Sequence, residues 1–327
     1  MESVRTSRGW KRAAVAVLAG ALTLGIAACG SSSDDAGSDG GAPVTVNHAR
    51  GTTTVQGTPK KIVTLGNQWL DSTLALGVTP VGYVDNVASI SKSTPAWEPK
   101  SLESAKALNT TGNIAEQVAA LEPDLILVDG FLADQKTYDE LSKVAPTLPA
   151  LTSSSIQPWQ NLMTTLGKVL HKEDDATRVI ADVDKKVESI GQANPGLKGK
   201  TFASTWLASP AQLMVLTDPN DGSSKIFSQL GLSIPKNLTD QPSNQGRLAL
   251  SPERVDELTA DLLLAGYSPG MDEKYRQLPG YADLPAVKKG SVVFLTVQEI
   301  SAVNQPTALS VPYLLNKLEP AFANAAK

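Results

Sequence analysis

The chain has 327 residues, 41% of them hydrophobic, and a formal net charge of −4 at pH 7. A chain of this length hides roughly 75% of its unfolded surface and tends to divide into two domains. The acidic balance gives no general attraction to phosphate backbones, which argues against nucleic acid as a partner. Cys29 is the single cysteine, so no intrachain disulfide can form.

Residues 1–28 have the pattern of a secretory signal peptide. Four basic residues precede the apolar run AAVAVLAGALTLGIAAC, which is too short to span a membrane as a helix. The stretch GIAAC resembles the bacterial lipobox, with Ile26 where Leu is more common. This resemblance implies cleavage before Cys29 and a lipid on its sulfur. The alternative is a plain signal peptide with an incidental cysteine.

Residues 29–43 are predicted to be the lipidated cysteine and a flexible tether. The stretch GSSSDDAGSDGGAP offers no apolar side chain worth burying. Two or more acyl chains hold a protein stably to a bilayer. The sequence therefore predicts a protein that is lipid-anchored to the extracytoplasmic face of the cell membrane.

Residues 44–173 are predicted to form an N-terminal α/β lobe. It opens with VTVNHARGTTTVQG, which alternates around a glycine turn and predicts a β-hairpin. Short apolar runs then alternate with helical patterns. The predicted strands cover 62–65, 81–84 and 125–129, and the predicted helices cover 68–76, 114–121 and 134–143. Such alternation is typical of parallel sheets built from βα units.

A long helix is predicted over residues 174–193, near the middle of the chain. Apolar residues at helical spacing run from 158 to 194, interrupted by HKEDDA and stopped by Asn194-Pro195-Gly196. Strand and helix patterns restart in residues 194–327, the predicted C-terminal α/β lobe. The predicted strands there cover 201–205, 213–216, 261–265 and 292–295, and the predicted helices cover 222–230, 252–259 and 310–322.

A short repeat relates the two lobes. EQVAALEPDLILV at 116–128 and ERVDELTADLLLA at 253–265 are identical in six of thirteen columns. Each copy reads as one helix–strand unit at an equivalent position. The sequence therefore predicts an α/β fold with two Rossmann-like lobes joined by a single long helix and a ligand cleft between them.

The candidate ligand-binding residues follow the predicted strands, because ligands of parallel α/β sheets bind beyond the carboxyl ends of the strands. Aromatic residues make up 5% of the chain, yet they recur at these positions. They predict an aromatic-walled cleft for a bulky, flat-sided ligand. The alternative is that each aromatic side chain covers the core of its own lobe. The candidates at these exits are Asn67, Trp69, Phe131, Trp206 and Tyr267.

Four charged or polar residues complete the candidate set. Arg247 faces either the predicted cleft or solvent, and Gln298 follows the last strand and is predicted to line the cleft floor. Glu116 and Glu253 lie in the first turn of the repeated helix, where an acidic residue complements the helix dipole. Their position at the strand-carboxyl edge, one in each lobe, also suits docking onto a basic partner.

No pattern of an enzyme stands out. The sequence contains no GxSxG, HExxH or P-loop motif and no GxGxxG after a strand. His48 and His171 are the only histidines, and they lie far apart. We expect no catalytic residues, no metal site and no cofactor.

Several segments together resemble one family, the ferric-siderophore substrate-binding proteins of ABC importers. These segments include TPKKIVTLGNQWLDSTLALGVTPVGYVD, NIAEQVAALEPDLILV, LSPERVDELTADLLLAG and LSVPYLLNKLEPAFA. The class also contains haem and cobalamin binders. The resemblance implies two lobes on one helix, a monomer, and an Fe(III)-siderophore ligand that needs no iron ligands from the protein. It also implies that Glu116 and Glu253 dock onto an ABC permease dimer with its ATPase.

Two alternatives remain open at this point. The same fold could bind haem or cobalamin, with Tyr267 as a candidate axial ligand, or the chain could be an envelope-interaction lipoprotein without a transport role. A tricatecholate complex is strongly anionic and would need several cationic groups, whereas only Arg247 can be nominated. A less charged hydroxamate or mixed ligand is therefore favoured.

Overall fold

The structure is a computed structural model that describes residues 40–132, 134–154 and 156–327. These residues belong to one compact unit. The predicted signal peptide, Cys29 and most of the predicted tether lie outside the described residues. In the described part of the chain, no helix is long and apolar enough to cross a membrane.

The N-terminal lobe is a five-stranded parallel sheet covered by helices. A hairpin of β1 (Val44–His48) and β2 (Gly51–Val55) precedes it. The sheet has the order β5-β4-β3-β6-β7, with strands β3 (Ile62–Leu65), β4 (Gly82–Val84), β5 (Lys106–Ala107), β6 (Leu125–Val128) and β7 (Thr147–Leu148). Its helices are α1 (Asn67–Ala75), α2 (Asn86–Ser91), α3 (Ile114–Ala119) and α4 (Gln135–Leu141). The central strands β3 and β6 are buried along their whole length, as expected for a parallel sheet with both faces covered.

Two helices follow the first sheet, α5 (Trp159–Val169) and α6 (Glu173–Ala193). With 21 residues, α6 is about 31 Å long. Three acidic residues occupy its first turn, where they complement the helix dipole. Beyond its end, a Cβ at Gly196 would lie 2.2 Å from the carbonyl oxygen of Ala326, so the last residues of the chain pack directly against this turn.

The C-terminal lobe contains a mixed five-stranded sheet of order β10-β9-β8-β11-β12. Its strands are β8 (Phe202–Ser209), β9 (Gln212–Leu216), β10 (Arg247–Leu250), β11 (Leu262–Tyr267) and β12 (Val292–Leu295). Its helices are α7 (Lys225–Gln229), α8 (Lys236–Thr239), α9 (Asp272–Arg276), α10 (Pro285–Lys289), α11 (Val297–Asn304) and α12 (Ser310–Ala325). Short 3-10 segments cover Lys100–Ser104, Pro195–Leu197, Gly222–Ser224, Pro252–Glu257 and Tyr281–Asp283.

The predicted α/β fold class is confirmed, with local differences in the C-terminal lobe. Strand β9 runs antiparallel to β8 and to β10, because a two-residue connection after β8 can only form a hairpin. The helix predicted over 252–259 is the 3-10 segment Pro252–Glu257, in which Arg254 has non-helical angles. The carbonyl of Glu257 accepts a hydrogen bond from the side chain of Asn237, which removes that carbonyl from a helical ladder.

The repeated aspartate has the same structural role in both lobes. Asp124 accepts hydrogen bonds from the backbone N–H groups of Lys60 and Lys61, at 2.8 and 2.9 Å. Asp261 accepts one from the backbone N–H of Thr201 at 3.0 Å. Each carboxylate thus fixes the start of the strand, β3 or β8, that pairs in parallel with the strand following the aspartate. The repeat therefore marks equivalent units of the two lobes.

Direct contacts join the lobes where α1 meets the loop between α11 and α12. Thr307 Oγ1 donates to Asp71 Oδ2 at 2.6 Å, and Gln68 Nε2 donates to the carbonyl of Pro306 at 3.3 Å. The rings of Trp97 and Tyr313 lie 5.5 Å apart. We call this set the interlobe junction: Gln68, Asp71 and Trp97 from the N-terminal lobe, with Pro306, Thr307 and Tyr313 from the C-terminal lobe.

Candidate functional site

A cavity of about 700 Å³ lies between the two lobes. Phe131 and Ile156 line it from the N-terminal lobe, and β9, β10 and the segment before β10 line it from the C-terminal lobe. A continuation of about 250 Å³ shares Phe131, Ile156, Met214 and Arg247 with it and reaches Trp206. We call the two together the main cleft. Its volume is within the usual range for small-molecule sites.

Local structure explains why these side chains meet. Phe131 lies in the loop after β6 and is 57% exposed. Trp206 on β8 pairs in register with Met214 on β9, and Arg247 at the start of β10 pairs with Leu216. The antiparallel extension of the second sheet thus brings Trp206, Met214 and Arg247 to one wall. The sequence left open whether Arg247 faces the cleft or solvent; it is the first residue of β10 and lines the main cleft.

Arg247 is held by an acidic partner. Its Nη1 donates to Asp221 Oδ2 at 3.0 Å and to the carbonyl of Gly246 at 3.2 Å. Asp221 Oδ1 in turn accepts from the N–H and the hydroxyl of Ser223, at 2.8 and 2.6 Å. Asp221 also lines the main cleft. Sequence reasoning missed it; the Asp-Gly-Ser-Ser stretch, typical of a capped turn, was the available signal.

Trp206 is half-buried in the wall of the main cleft. Its indole Nε1 is buried and has no hydrogen-bond partner among the described residues. A buried donor without a partner costs free energy, on the order of 1–3 kcal/mol. Trp206 therefore contributes flat aromatic surface to this wall, and its buried Nε1 has no partner in the described part of the chain.

The structure corrects the placement of Asn67 and Trp69, which lie inside the N-terminal lobe. Trp69 is 1% exposed and packs in the core. Asn67 donates to Asp85 Oδ1 at 2.7 Å and accepts from the backbone N–H of Asn86 at 3.0 Å. Both residues belong to α1, which begins immediately after β3 and directs its first turn into the lobe. Neither residue lines the main cleft.

The N-terminus of α1 is occupied by a carboxylate of the protein itself. Asp129 Oδ2 accepts from the backbone N–H of Gln68 at 3.1 Å. Gly66, with φ of 119°, makes this approach possible, because a Cβ there would lie 2.2 Å from Asp129 Oδ2. The N-terminus of α1, a position where ligands of many α/β folds bind, is therefore already occupied in this lobe.

Tyr267 and Gln298 line a second cavity of about 340 Å³, together with Ser91 and Ser93 of the N-terminal lobe. Gln298 Nε2 donates across the lobes to Ser91 Oγ at 3.1 Å and to the carbonyl of Ser93 at 2.7 Å. None of the residues that line this cavity also lines the main cleft. The predicted site residues are thus divided: Phe131, Trp206 and Arg247 share the main cleft, and Tyr267 and Gln298 lie apart from them.

A cluster of buried carboxyl groups lies around α1, which itself contributes Asp71. Burial raises the pKa of Asp71 to about 7, with Asp85 and Asp129 adding negative charge nearby. Burial also raises the pKa of Asp129 to about 7 and that of Glu98 to about 9. Because of these raised pKa values, the carboxyl groups retain protons at pH values where exposed carboxylates are ionised. Among the described residues, no group of three or more His, Cys, Asp or Glu side chains has the geometry of a metal site.

Glu116 and Glu253 are exposed and lie at the strand-carboxyl edges of their lobes. The start of α3 shares a surface cavity with Leu65, the last residue of β3, and with Leu132, in the loop after β6. Leu250 pairs with Leu213 of β9, which pairs in turn with Leu207 near the carboxyl end of β8. Glu253 follows Leu250 by three residues and so lies at the same edge. Within the described residues, neither carboxylate forms an ion pair.

Comparisons with known proteins agree with this architecture. The sequence model of a family described as periplasmic binding protein matches residues 62–299. The probable siderophore-binding lipoprotein YfiY of Bacillus subtilis is 29% identical over 323 residues, covering 91% of this chain and 94% of the relative. The iron(3+)-hydroxamate-binding protein FhuD of Bacillus subtilis is 27% identical, covering 86% and 90%. A solved periplasmic solute binding protein from Mycobacterium smegmatis superposes with a TM-score of 0.74 at 26% identity, covering 88% of this chain and 99% of that one.

Proposed function

The chain belongs to the periplasmic binding protein family, and from this we propose that it captures a ferric siderophore and delivers it to an ABC importer for iron uptake. The prediction of a binding protein rather than an enzyme is confirmed by the family membership. The siderophore as ligand is supported by the relatives named for siderophore and iron(3+)-hydroxamate binding.

The main cleft is the observation that carries this proposal. It lies between two lobes, has a volume of about 700 Å³ in its larger part, and is lined by the exposed ring of Phe131 and by Trp206. An Fe(III)-siderophore complex already has its metal fully coordinated by the siderophore, so it needs shape, aromatic surface and a few polar contacts from a protein. Phe131, Trp206 and Arg247 supply these contacts in the proposed complex, and Tyr267 and Gln298 remain candidate contacts at the second cavity.

The anchoring part of the proposal concerns residues 1–43. Signal-peptide cleavage after residue 28 would leave Cys29 at the N-terminus, carrying the lipid, and residues 29–43 as the tether. The name of the relative YfiY, a lipoprotein, supports this arrangement. Residues 44–173, 174–193 and 194–327 then form the N-terminal lobe, the connecting helix and the C-terminal lobe of a monomer held at the extracytoplasmic face of the cell membrane.

Delivery is proposed to use Glu116 and Glu253. Each is exposed on its own lobe and presents an acidic group at the edge where the cleft opens. Basic pockets on the two subunits of a permease dimer would pair with the two carboxylates, and the ATPase of the importer would then drive transfer. The dipole effect of a first-turn glutamate acts beside this role and does not compete with it.

Haem is a less suitable ligand for this chain. Axial coordination through Tyr267 requires the phenol to lose its proton, and burial, followed by the charges of Asp272 and Glu299, raises the pKa of Tyr267. Tyr267 also lies outside the main cleft. The aromatic wall is therefore better suited to a ligand that needs no metal ligand from the protein.

Titration with a panel of ferric siderophores tests the proposed function. We expect quenching of tryptophan fluorescence by at least one ferric siderophore, and we expect Trp206→Ala to weaken that binding about tenfold, since an aromatic contact and its area contribute on the order of 1–2 kcal/mol. Tyr138→Phe, on α4 and outside both cavities, serves as the control and should bind within about twofold of the wild type. Quenching by haemin or cobalamin but by no ferric siderophore would contradict the proposal.

A further inference from the structure

The charged groups of the main cleft form one neutral pair. Asp221 and Arg247 line it, and an ion pair with an N–O distance of 3.0 Å joins them. Their side chains are 11% and 24% exposed, so water screens the pair only in part. The polar lining is otherwise made of uncharged side chains, among them the carboxamides of Gln212, Asn244, Gln245, Asn304 and Gln305.

Asp221 does more than neutralise charge, because it also fixes the orientation of the guanidinium group. Its second oxygen is held by the N–H and the hydroxyl of Ser223, so the carboxylate cannot rotate freely. The hydrogen bonds of Arg247 use Nη1, and no described residue accepts from Nε or Nη2. Arg247 thus offers directional donors to a ligand oxygen in a wall whose net charge is close to zero.

On this basis, and resting on the proposed function, we propose that the Asp221–Arg247 pair makes the main cleft selective for ferric complexes of low net charge, with Asp221 as the residue that excludes strongly anionic ones. A neutral complex with amide and hydroxamate oxygens finds donors in Arg247 and in the carboxamide side chains. A trianionic complex would lose its hydration, face the carboxylate of Asp221 and find an arginine that is already neutralised.

Replacement of Asp221 by Asn tests the proposal, because it removes the negative charge and keeps the size of the side chain. An asparagine Oδ1 can still accept from Ser223, so the turn is preserved. Arg247 then becomes an unneutralised cation in the wall of the cleft. The matched control is Asp218→Asn, which changes the charge of the same segment equally. Asp218 accepts from the backbone N–H of Asn220 and does not line the main cleft.

The measurement is isothermal titration of the three proteins with a neutral ferric trihydroxamate, a monocationic ferric trihydroxamate with a free amine, and a trianionic ferric tricatecholate. We expect the wild type to bind the tricatecholate at least about tenfold more weakly than the neutral complex. Asp221→Asn should strengthen tricatecholate binding by about tenfold and leave the neutral complex within about threefold. High salt should reduce this gain, and Asp218→Asn should behave as the wild type.

Three other results would contradict the proposed selectivity. A wild type that prefers the tricatecholate, or a variant Asp221→Asn that weakens all three complexes alike, would overturn the selectivity and leave the proposed function standing. The second of these results would indicate a purely structural role for Asp221. A wild type that binds none of the three ferric complexes, while titration with haemin or cobalamin gives binding, would contradict the proposed function and this inference with it.

Discussion

The double variant Glu116→Ala/Glu253→Ala is expected to lower uptake of ferric siderophore by intact cells at least about tenfold, without changing the affinity of the isolated protein for its ligand. Loss of one partner from a buried ion pair at an interface costs on the order of 2–5 kcal/mol. Both carboxylates lie outside the main cleft, so ligand binding should be unaffected. Radiolabelled iron uptake and titration of the purified variant measure the two quantities.

A control variant that also removes two glutamate charges distinguishes the loss of docking from a general loss of negative surface charge. Glu122→Ala/Glu188→Ala removes two exposed glutamates. Glu122 precedes β6, at the opposite end of the strand from Glu116, and Glu188 lies on α6. Cells with this variant should take up iron at the wild-type rate. If uptake were equal in the two double variants, docking through Glu116 and Glu253 would be wrong.

The free energy of unfolding is expected to fall as the pH rises from about 5 to about 9, by at least about 3 kcal/mol, which a single group with a folded pKa of about 7 already contributes over the two pH units from about 5 to about 7. The buried carboxyl groups of Asp71, Asp129 and Glu98 have pKa values of about 7, 7 and 9 in the folded protein. In the unfolded chain these groups ionise near pH 4. Between these values the folded state binds more protons than the unfolded state, so raising the pH favours unfolding.

The variant Asp71→Asn tests the contribution of one member of this cluster. Asp85 and Asp129 are the charged groups that raise the pKa of Asp71 beyond the effect of burial, and both carry the same sign as Asp71. We expect Asp71→Asn to be more stable than the wild type at pH 9 and about equally stable at pH 5, as measured by chemical denaturation. Asp182→Asn, on the exposed side of α6, should keep the pH dependence of the wild type. A wild type that is equally stable at both pH values would contradict the prediction.

The sequence was informative about the fold where local patterns repeat. The two copies of the helix–strand unit and the polar stop after Ala193 were sufficient to predict two lobes and a long helix. The two-residue strands β5 and β7 are too short to produce a periodic signal. Strand β10 was missed because its short sequence RLAL follows a polar loop. In addition, about thirty residues separate it from β9, the strand with which it pairs.

The candidate site could be predicted from strand exits only in part. Phe131 and Trp206 both line the cleft wall, but only Phe131 follows its strand, because β8 continues past Trp206 to Ser209. The strand-exit rule failed for Trp69 because α1 begins without a loop and buries its first turn. The partnership of Asp221 with Arg247 spans 26 residues, and that of Asp71 with Thr307 spans 236. Contacts at such separations depend on tertiary packing and leave no local pattern in the sequence.

The interlobe junction has a consequence for how fast cargo can be exchanged. Because α6, the junction and the hydrogen bonds of Gln298 all connect the lobes, opening about any one of them would break contacts at the others. A cavity restrained in this way is already shaped before its cargo arrives. The association rate constant is then governed by diffusion and by the orientation of the incoming complex, and differences in affinity between cargoes arise mainly in their residence times.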